Sequence, residues 1–249
     1  MLELLDVNCR IGRGPADREG APKGIPGLMG LMDAFNVKQA LAHHSVSVFS
    51  DPLRGNALLA EETAGNERFL RQWAALPPLW ELFPQPETLM EEMKKNNIAA
   101  VRLFPAQYGH SLKRYAAGSL LDALAEKNVP VFIGLDQLAG WDALYDLCND
   151  YPENRFVLCS PGYRCLRWIV PIMETCDNLW METSNFVTHN GLREFCKYVS
   201  ADRLLYGSGY PEQSIAATAS QLLLSDLGEA EKRKIACENA EKLLGEVRL

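Results

Sequence analysis

Apolar and polar positions follow a pattern that repeats along the whole chain. Short apolar runs rich in β-formers alternate with segments whose apolar residues recur at intervals of three and four. This order predicts parallel strands joined by helical crossovers, and eight such units favour a closed α/β barrel, the (β/α)8 or TIM-barrel class. The predicted strands are Leu2–Asn8, Gln39–His43, Phe69–Leu76, Ala99–Phe104, Val129–Leu135, Arg155–Cys159, Leu179–Thr183 and Arg203–Gly207.

Two connections depart from the regular alternation. Gly12–Gly27 contains Gly, Pro and charges of both signs, and is predicted to be a long exposed loop that serves as a lid or a dimer contact. Leu76–Pro86 holds four prolines together with Trp80 and Phe83, which predicts an irregular, partly buried connection. No shift in composition marks a boundary, so residues 1–249 are interpreted as one domain.

Composition narrows the classes of partner. The net charge of −7 and the lack of any basic run argue against nucleic-acid binding. No apolar run is long enough to predict a membrane span, and the first residues carry acids where a secretory signal would be basic. Seven scattered cysteines, with no C-x-x-C pair, are typical of reduced thiols in a cytoplasmic protein.

Catalytic groups of such barrels gather where the strands end and the following loops begin. Several segments near those ends resemble the amidohydrolase-related family of barrel hydrolases and decarboxylases. Leu204–Pro211, LLYGSGYP, is similar to the family's LLFGSDYP, and Ile235–Gly245 is similar to its closing I-x-x-x-N-A-x-x-L-L-G helix. Weaker similarities lie at Asp6–Gly12, Arg155–Gly162 and Glu182–Ser184. The resemblance implies the scaffold of a metal-dependent hydrolase.

The resemblance also implies a divalent metal, yet this sequence differs at the family's ligand and proton-transfer positions. Those positions carry Asn8, Arg10, Gly134, Ser160 and Gly209. A hydrolytic zinc site generally needs three ligands from His, Asp, Glu or Cys, so the sequence predicts no cofactor. The alternative is zinc held by the unexpected ligands Cys9, His44 and Asp136.

Arginines near the strand ends point to an anionic ligand. Arg10 and Arg102 could bind a carboxylate or phosphate through paired hydrogen bonds, or could form internal ion pairs, for which Glu182 and Asp136 are the nearest candidates. Glu182 lies in an apolar strand, so it is either paired with an arginine or has a raised pKa.

The remaining candidates are assigned by type. His44 is placed at the mouth as the general acid or base, acting with Arg10 and Glu182; the alternative is a structural histidine. The substrate-binding candidates are Asn8, Arg102, Asp136, Ser160 and Tyr163.

The favoured function is binding of a small anionic substrate, followed by hydrolysis of an ester or lactone without a metal. Arginine would stabilise the oxyanion, and a histidine or carboxylate base would direct water. The alternative is a non-catalytic barrel that binds a metabolite or acts as an assembly subunit. The resemblance makes a homodimer a reasonable expectation.

Overall fold

Parallel strands form one eight-stranded sheet in the order β1 to β8, in a computed structural model that describes residues 2–15 and 24–249. The strands are β1 (Leu4–Ile11), β2 (Val37–His44), β3 (Phe69–Ala75), β4 (Ile98–Leu103), β5 (Val131–Gly134), β6 (Phe156–Cys159), β7 (Leu179–Glu182) and β8 (Leu204–Leu205).

Helices connect the strands on the outside of the sheet. They are α1 (Gly24–Ala34), α2 (Ser45–Phe49), α3 (Pro52–Glu62), α4 (Pro86–Lys95), α5 (Pro105–Tyr108), α6 (Arg114–Glu126), α7 (Trp141–Asp150), α8 (Leu166–Thr175), α9 (Gly191–Tyr198), α10 (Ile215–Leu223), α11 (Glu229–Arg233) and α12 (Asn239–Gly245). A large apolar cluster fills the space between strands and helices. The predicted (β/α)8 barrel is therefore confirmed.

The barrel closes between β1 and the residues that follow the short β8. Val7 N–H donates to the Tyr206 carbonyl at 2.9 Å, and Arg10 N–H donates to the Tyr210 carbonyl at 2.8 Å. A bridge pairs Cys9 with Tyr210. This closure carries the loop after β8 to the side of β1, which matters for the site described below.

Alternate residues of each strand face the barrel interior. Leu41 of β2, Ala100 of β4 and Phe132 of β5 belong to an apolar cluster that also includes Ala240 and Leu243 of α12. This cluster fills the barrel interior towards the amino-terminal ends of the strands, and α12 packs against it at that end. The inward positions one step further along β2 and β4 are polar, His43 and Arg102.

The C-terminal segment is fixed to the start of β8. The amide of Asn239 donates to the carbonyls of Ala201 and Leu204 at 2.7 and 2.8 Å. Tyr206 N–H donates to the carbonyl of Ile235, within the π-helical turn that precedes α12, at 2.8 Å. These contacts hold the amino-terminal end of the barrel closed, so the opposite end is the open one.

Two local predictions need correction, and a third agrees with the structure. β1 runs to Ile11, three residues beyond the predicted end, so Arg10 lies in the strand. The predicted loop Gly12–Gly27 ends earlier, because α1 begins at Gly24, and most of the rest lies outside the described residues. The connection after β3 contains no helix before Pro86 and mixes half-buried with exposed residues, as predicted, and Trp80 in it is 82% exposed. Among the described residues, no helix has the length and apolarity needed to cross a bilayer.

Candidate functional site at the barrel mouth

A cavity of about 370 Å³ opens at the carboxyl ends of the strands, where barrel enzymes place their active sites. Its wall combines arginine, histidine and acidic side chains with two phenylalanines. The lining residues include Asn8, Arg10, His43, Phe49, Arg102, Phe104, Asp136, Ser160, Gly209 and Glu212.

Arg10 forms an ion pair with a residue of the loop after β8. Its Nε and Nη2 both donate to Oε1 of Glu212, at 3.0 and 2.7 Å. The guanidinium carbon lies 5.3 Å from the centre of the Phe49 ring, which suits a cation–π contact. Arg10 is thus buried and paired, but its partner is Glu212 rather than the predicted Glu182 or Asp136.

Arg102 is buried on the inner face of β4 without a carboxylate partner. Its Nη1 donates to Oδ1 of Asn8 at 2.7 Å, and the described residues place no acidic oxygen within ion-pair distance of it. Its guanidinium carbon lies 5.7 Å from the centre of the Phe104 ring. A buried charge that is unpaired is costly, so Arg102 makes the cavity attractive to an anion. Of the two alternatives that the sequence left open for Arg102, the structure does not show the ion pair with Glu182 or Asp136.

Glu182 lies behind the cavity wall. It is fully buried, and its Oε1 accepts from the Asn8 amide at 3.1 Å and from the Ser160 backbone N–H at 2.6 Å. Ser184 donates to the same carboxylate through its backbone N–H and its hydroxyl, each at 2.6 Å.

Burial raises the pKa of Glu182 to about 7, although these hydrogen bonds and the charge of Arg102 oppose the shift. Of the two states left open by the sequence, the structure has the raised pKa. Because Glu182 does not line the cavity, it positions Asn8 and Ser160 and does not itself contact a ligand there.

The histidine at the mouth is His43. β2 continues through His44, and His43 shares the inward face of Leu41 while His44 points outward. Burial, followed by the charges of Arg102 and Arg10, lowers the pKa of His43 well below its ordinary value. His43 is therefore neutral near pH 7 and can accept a proton only weakly.

His44 has a local structural role. Its Nδ1 accepts from the Val46 N–H at 3.1 Å at the start of α2, and its Nε2 lies 3.4 Å from Oε1 of Glu62. The prediction that His44 lies at the mouth is wrong, because side chains alternate along β2 and the inward position belongs to His43.

Of the other predicted binding residues, Ser160 and Asp136 line the cavity and Tyr163 does not. Ser160 has a positive φ of 50° and shares a 3.1 Å hydrogen bond between its hydroxyl and that of Ser184. Asp136 accepts from the Gln137 amide at 2.8 Å. The Tyr163 side chain is 64% exposed, beneath the guanidinium of Arg164.

Comparison with known proteins identifies the scaffold. A family model described as amidohydrolase matches residues 8–245. This confirms the resemblance drawn from the motifs at the two ends of the chain. No curated protein matches the chain.

Several solved structures have the same fold. The 2,6-dihydroxybenzoate decarboxylase from Rhizobium is 15% identical, with a TM-score of 0.77, and the match covers 98% of this chain and 99% of that one. The dihydroxybenzoic acid decarboxylase from Polaromonas sp. JS666, with bound manganese, is 15% identical, with a TM-score of 0.75 and coverages of 98% and 97%. A 5-carboxyvanillate decarboxylase from Novosphingobium aromaticivorans, complexed with manganese, is 14% identical, with a TM-score of 0.75 and coverages of 98% and 96%. At these identities the likeness establishes the fold.

The prediction of a chain without a cofactor does not stand. Solved neighbours of this fold are complexed with manganese, which points to a metal cofactor. The alternative of a zinc site is also wrong, because Cys9, His44 and Asp136 do not form a group that could hold a metal ion.

The described side chains do not fit manganese as they stand. No three His, Cys, Asp or Glu residues among them form a group that could hold an ion. The carboxylate of Glu182 is occupied by N–H and O–H donors, and that of Glu212 by Arg10. Two buried guanidinium groups also repel a cation.

Proposed function

The chain belongs to the amidohydrolase family, and on that premise we propose that its barrel mouth binds a small carboxylate, with Arg102 as the principal binding group. The observation that carries this proposal is the buried guanidinium of Arg102, which has one neutral hydrogen-bond acceptor, Asn8, and no acidic partner among the described residues. A planar guanidinium binds a carboxylate through two parallel hydrogen bonds. The ligand would supply the negative charge that the protein does not.

An aromatic carboxylate suits the rest of the cavity. Phe104 is buried beside Arg102, and Phe49 lies over Arg10 at the rim. Pockets of this kind bind a ligand mainly through apolar walls and use a few polar groups to orient it. The solved neighbours are named for aromatic carboxylates, namely dihydroxybenzoate and 5-carboxyvanillate, which supports the same class here.

The reaction proposed from the residues is proton transfer on the bound carboxylate ligand. In hydrolysis of a lactone or ester, water would attack the carbonyl carbon while neutral His43 takes its proton and arginine stabilises the oxyanion. The proton would then pass from His43 to the leaving alkoxide as its bond to the carbonyl carbon breaks, which gives a carboxylic acid and an alcohol. The names of the neighbours favour decarboxylation as a second candidate. Either reaction would use the cavity wall to which both Arg102 of β4 and His43 of β2 contribute.

Binding is tested by isothermal titration of the full chain with phenylacetate and benzoate. The expected result is one site per chain whose affinity falls with added salt, because the attraction is between charges. The measurement is made on chelator-treated protein and on protein supplied with manganese, and the metal content of both samples is determined. Absence of binding in both samples contradicts the proposal. Binding that requires manganese also contradicts it, because the metal rather than Arg102 would then hold the carboxylate.

Turnover is tested on the same two samples with lactones, aryl esters and 2,6-dihydroxybenzoate. Hydrolysis or carbon dioxide release with saturation kinetics would support an enzyme. Tight binding without turnover of any of these compounds would support the alternative of a non-catalytic metabolite-binding barrel.

A further inference from the structure

Two side chains of opposite charge line the mouth cavity without pairing with each other. Arg102 and Asp136 both contribute to its wall, yet neither forms an ion pair with any described residue. Arg102 donates from Nη1 to the neutral Asn8. Its Nη2 makes no hydrogen bond within the described part of the chain and is not enclosed by protein atoms, so this nitrogen is open to the cavity.

The carboxylate of Asp136 lies over the end of β5 because residue 134 is a glycine. Phe132 faces the barrel interior, so Gly134, two residues further along β5, faces inward as well. A Cβ atom at Gly134 would collide with Oδ1 of Asp136. The carboxylate therefore occupies the inward space that a side chain at this position would fill. Asp136 is exposed at the mouth, so a ligand in the cavity can reach it.

Hydrogen bonds orient this carboxylate without neutralising it. Nε2 of Gln137 donates to Oδ2 of Asp136 at 2.8 Å, and Oε1 of Gln137 accepts from the backbone N–H of Gln107 at 3.2 Å. An amide leaves the negative charge of its partner in place, and a carboxylate can accept several hydrogen bonds. Asp136 thus has capacity for a cationic group of a ligand.

The two charges lie on neighbouring parts of the cavity wall. Arg102 pairs in register with Phe132 of β5, and the carboxylate of Asp136 lies at the level of Gly134, one inward position nearer the mouth. The other charged pair of the cavity, Arg10 with Glu212, balances itself. What remains is one cation and one anion, too far apart for an ion pair. A small molecule that carries both charges can contact both.

We infer that Asp136 is a specificity-determining residue, and that the ligand is an aromatic amino acid whose ammonium group binds Asp136 while its carboxylate binds Arg102. The inference rests on the proposed carboxylate site at Arg102. Opposite charges on the wall attract the two ends of a zwitterion and repel the reversed orientation, so they also fix how the ligand lies in the cavity.

The matched probes are 2-phenylglycine and phenylacetate, which differ by one amino group that is protonated near pH 7. Titration calorimetry at low salt should show that one enantiomer of phenylglycine binds about three- to fivefold more tightly than phenylacetate, the effect of an ion pair partly open to solvent. This preference should shrink at 0.5 M salt. Mandelate, with a neutral hydroxyl in place of the ammonium group, should not show it.

The diagnostic variants are Asp136→Asn and Gly134→Ala. Asp136→Asn removes the charge and keeps the shape, so it should abolish the preference for phenylglycine, while phenylacetate affinity should rise slightly because a negative charge has left the cavity. Gly134→Ala keeps the charge but displaces the carboxylate, and it should reduce the preference. The control is Asp142→Asn, at an exposed position of α7 that does not line the cavity, and it should keep the preference.

The outcomes separate this inference from the proposed function. A phenylglycine preference that survives in full in either variant overturns the inference, as does a wild type that binds phenylacetate or mandelate as tightly as phenylglycine. Loss of phenylacetate binding together with a large fall in melting temperature in Asp136→Asn also overturns it, because Asp136 would then be a structural residue. If the wild type binds none of the three probes, the proposed carboxylate site itself is wrong and the inference falls with it.

Discussion

Arg102 and Asn8 are joined by a 2.7 Å hydrogen bond across the barrel interior, from Nη1 to the amide oxygen. The other end of the Asn8 amide donates to Glu182 at 3.1 Å. A neutral side chain therefore separates a buried cation from a buried acid, and the acid has a pKa raised to about 7. A direct ion pair would have balanced the positive charge of Arg102 with the negative charge of Glu182, and it would have lowered the pKa of Glu182.

Replacing Arg102 tests the anion site. Arg102→Met should weaken phenylacetate binding by about 10- to 100-fold, the range expected for loss of a charge-assisted hydrogen bond. Because the same change removes a buried charge without an acidic partner, the melting temperature should stay equal or rise. Titration calorimetry and thermal unfolding measure the two effects.

The matched control is Arg167→Met, which removes the same charge from an exposed position on α8. It should leave phenylacetate affinity nearly unchanged. If both variants lose affinity equally, the attraction comes from net charge and not from a site at Arg102.

The barrel itself was predictable from sequence because its signal is local and repeated. Eight units of apolar run and amphipathic segment each carried enough periodicity to identify a strand and its helix. Asn239, in the closing family motif, shows the same agreement, since its amide fixes the C-terminal segment to the start of β8.

The candidate site was less predictable. It depends on which alternate side chains of each strand face inward, and on contacts between the two ends of the chain where the barrel closes. His43 and His44 are adjacent, and only the inward position of Leu41, two residues earlier, decides which of them faces the cavity. Glu212 reaches Arg10 because Tyr210 pairs with Cys9 across the closing seam. Contacts across a seam between the two ends of a chain leave no local pattern in either segment.

Glu182 should make stability depend on pH. Its pKa is about 7 in the folded protein against an ordinary value of 4.5, so the folded state holds an extra proton between these values. Its contribution is fully present below pH 4.5 and is lost as pH rises through 7. A shift of this size corresponds to roughly 3 kcal/mol in the free energy of unfolding. Urea unfolding from pH 4.5 to 8.5 should show this decline in the wild type and a flatter profile in Glu182→Gln.

Glu153→Gln, on the exposed turn before β6, is the control and should keep the wild-type slope. Equal slopes in the wild type and Glu182→Gln would show that Glu182 does not titrate in this range.

Replacing each of the two adjacent histidines should have a different effect, on ligand binding or turnover for His43 and on stability for His44. His43→Gln should lower turnover or ligand affinity about tenfold or more, because the ring lies on the cavity wall. His44→Gln should instead lower stability by about 1 kcal/mol, since it removes the acceptor for the Val46 N–H at the start of α2. Steady-state kinetics or titration, together with urea unfolding, distinguish the two. The reverse pattern, with activity lost only in the His44 variant, would place the functional histidine outside the cavity.

Glu212 competes with an anionic ligand for Arg10, because its carboxylate accepts two hydrogen bonds from that guanidinium. Glu212→Gln removes the negative charge at the cavity rim while keeping a similar shape. Phenylacetate affinity should therefore rise about two- to fivefold at low salt, the size expected for a charge that is 57% exposed. The gain should shrink at 0.5 M salt, where exposed charges are screened.

A fall in affinity would show instead that the ion pair holds Arg10 in its binding geometry. Glu194→Gln, at a half-buried position of α9 that does not line the cavity, removes an equal charge and should leave affinity unchanged at both salt concentrations.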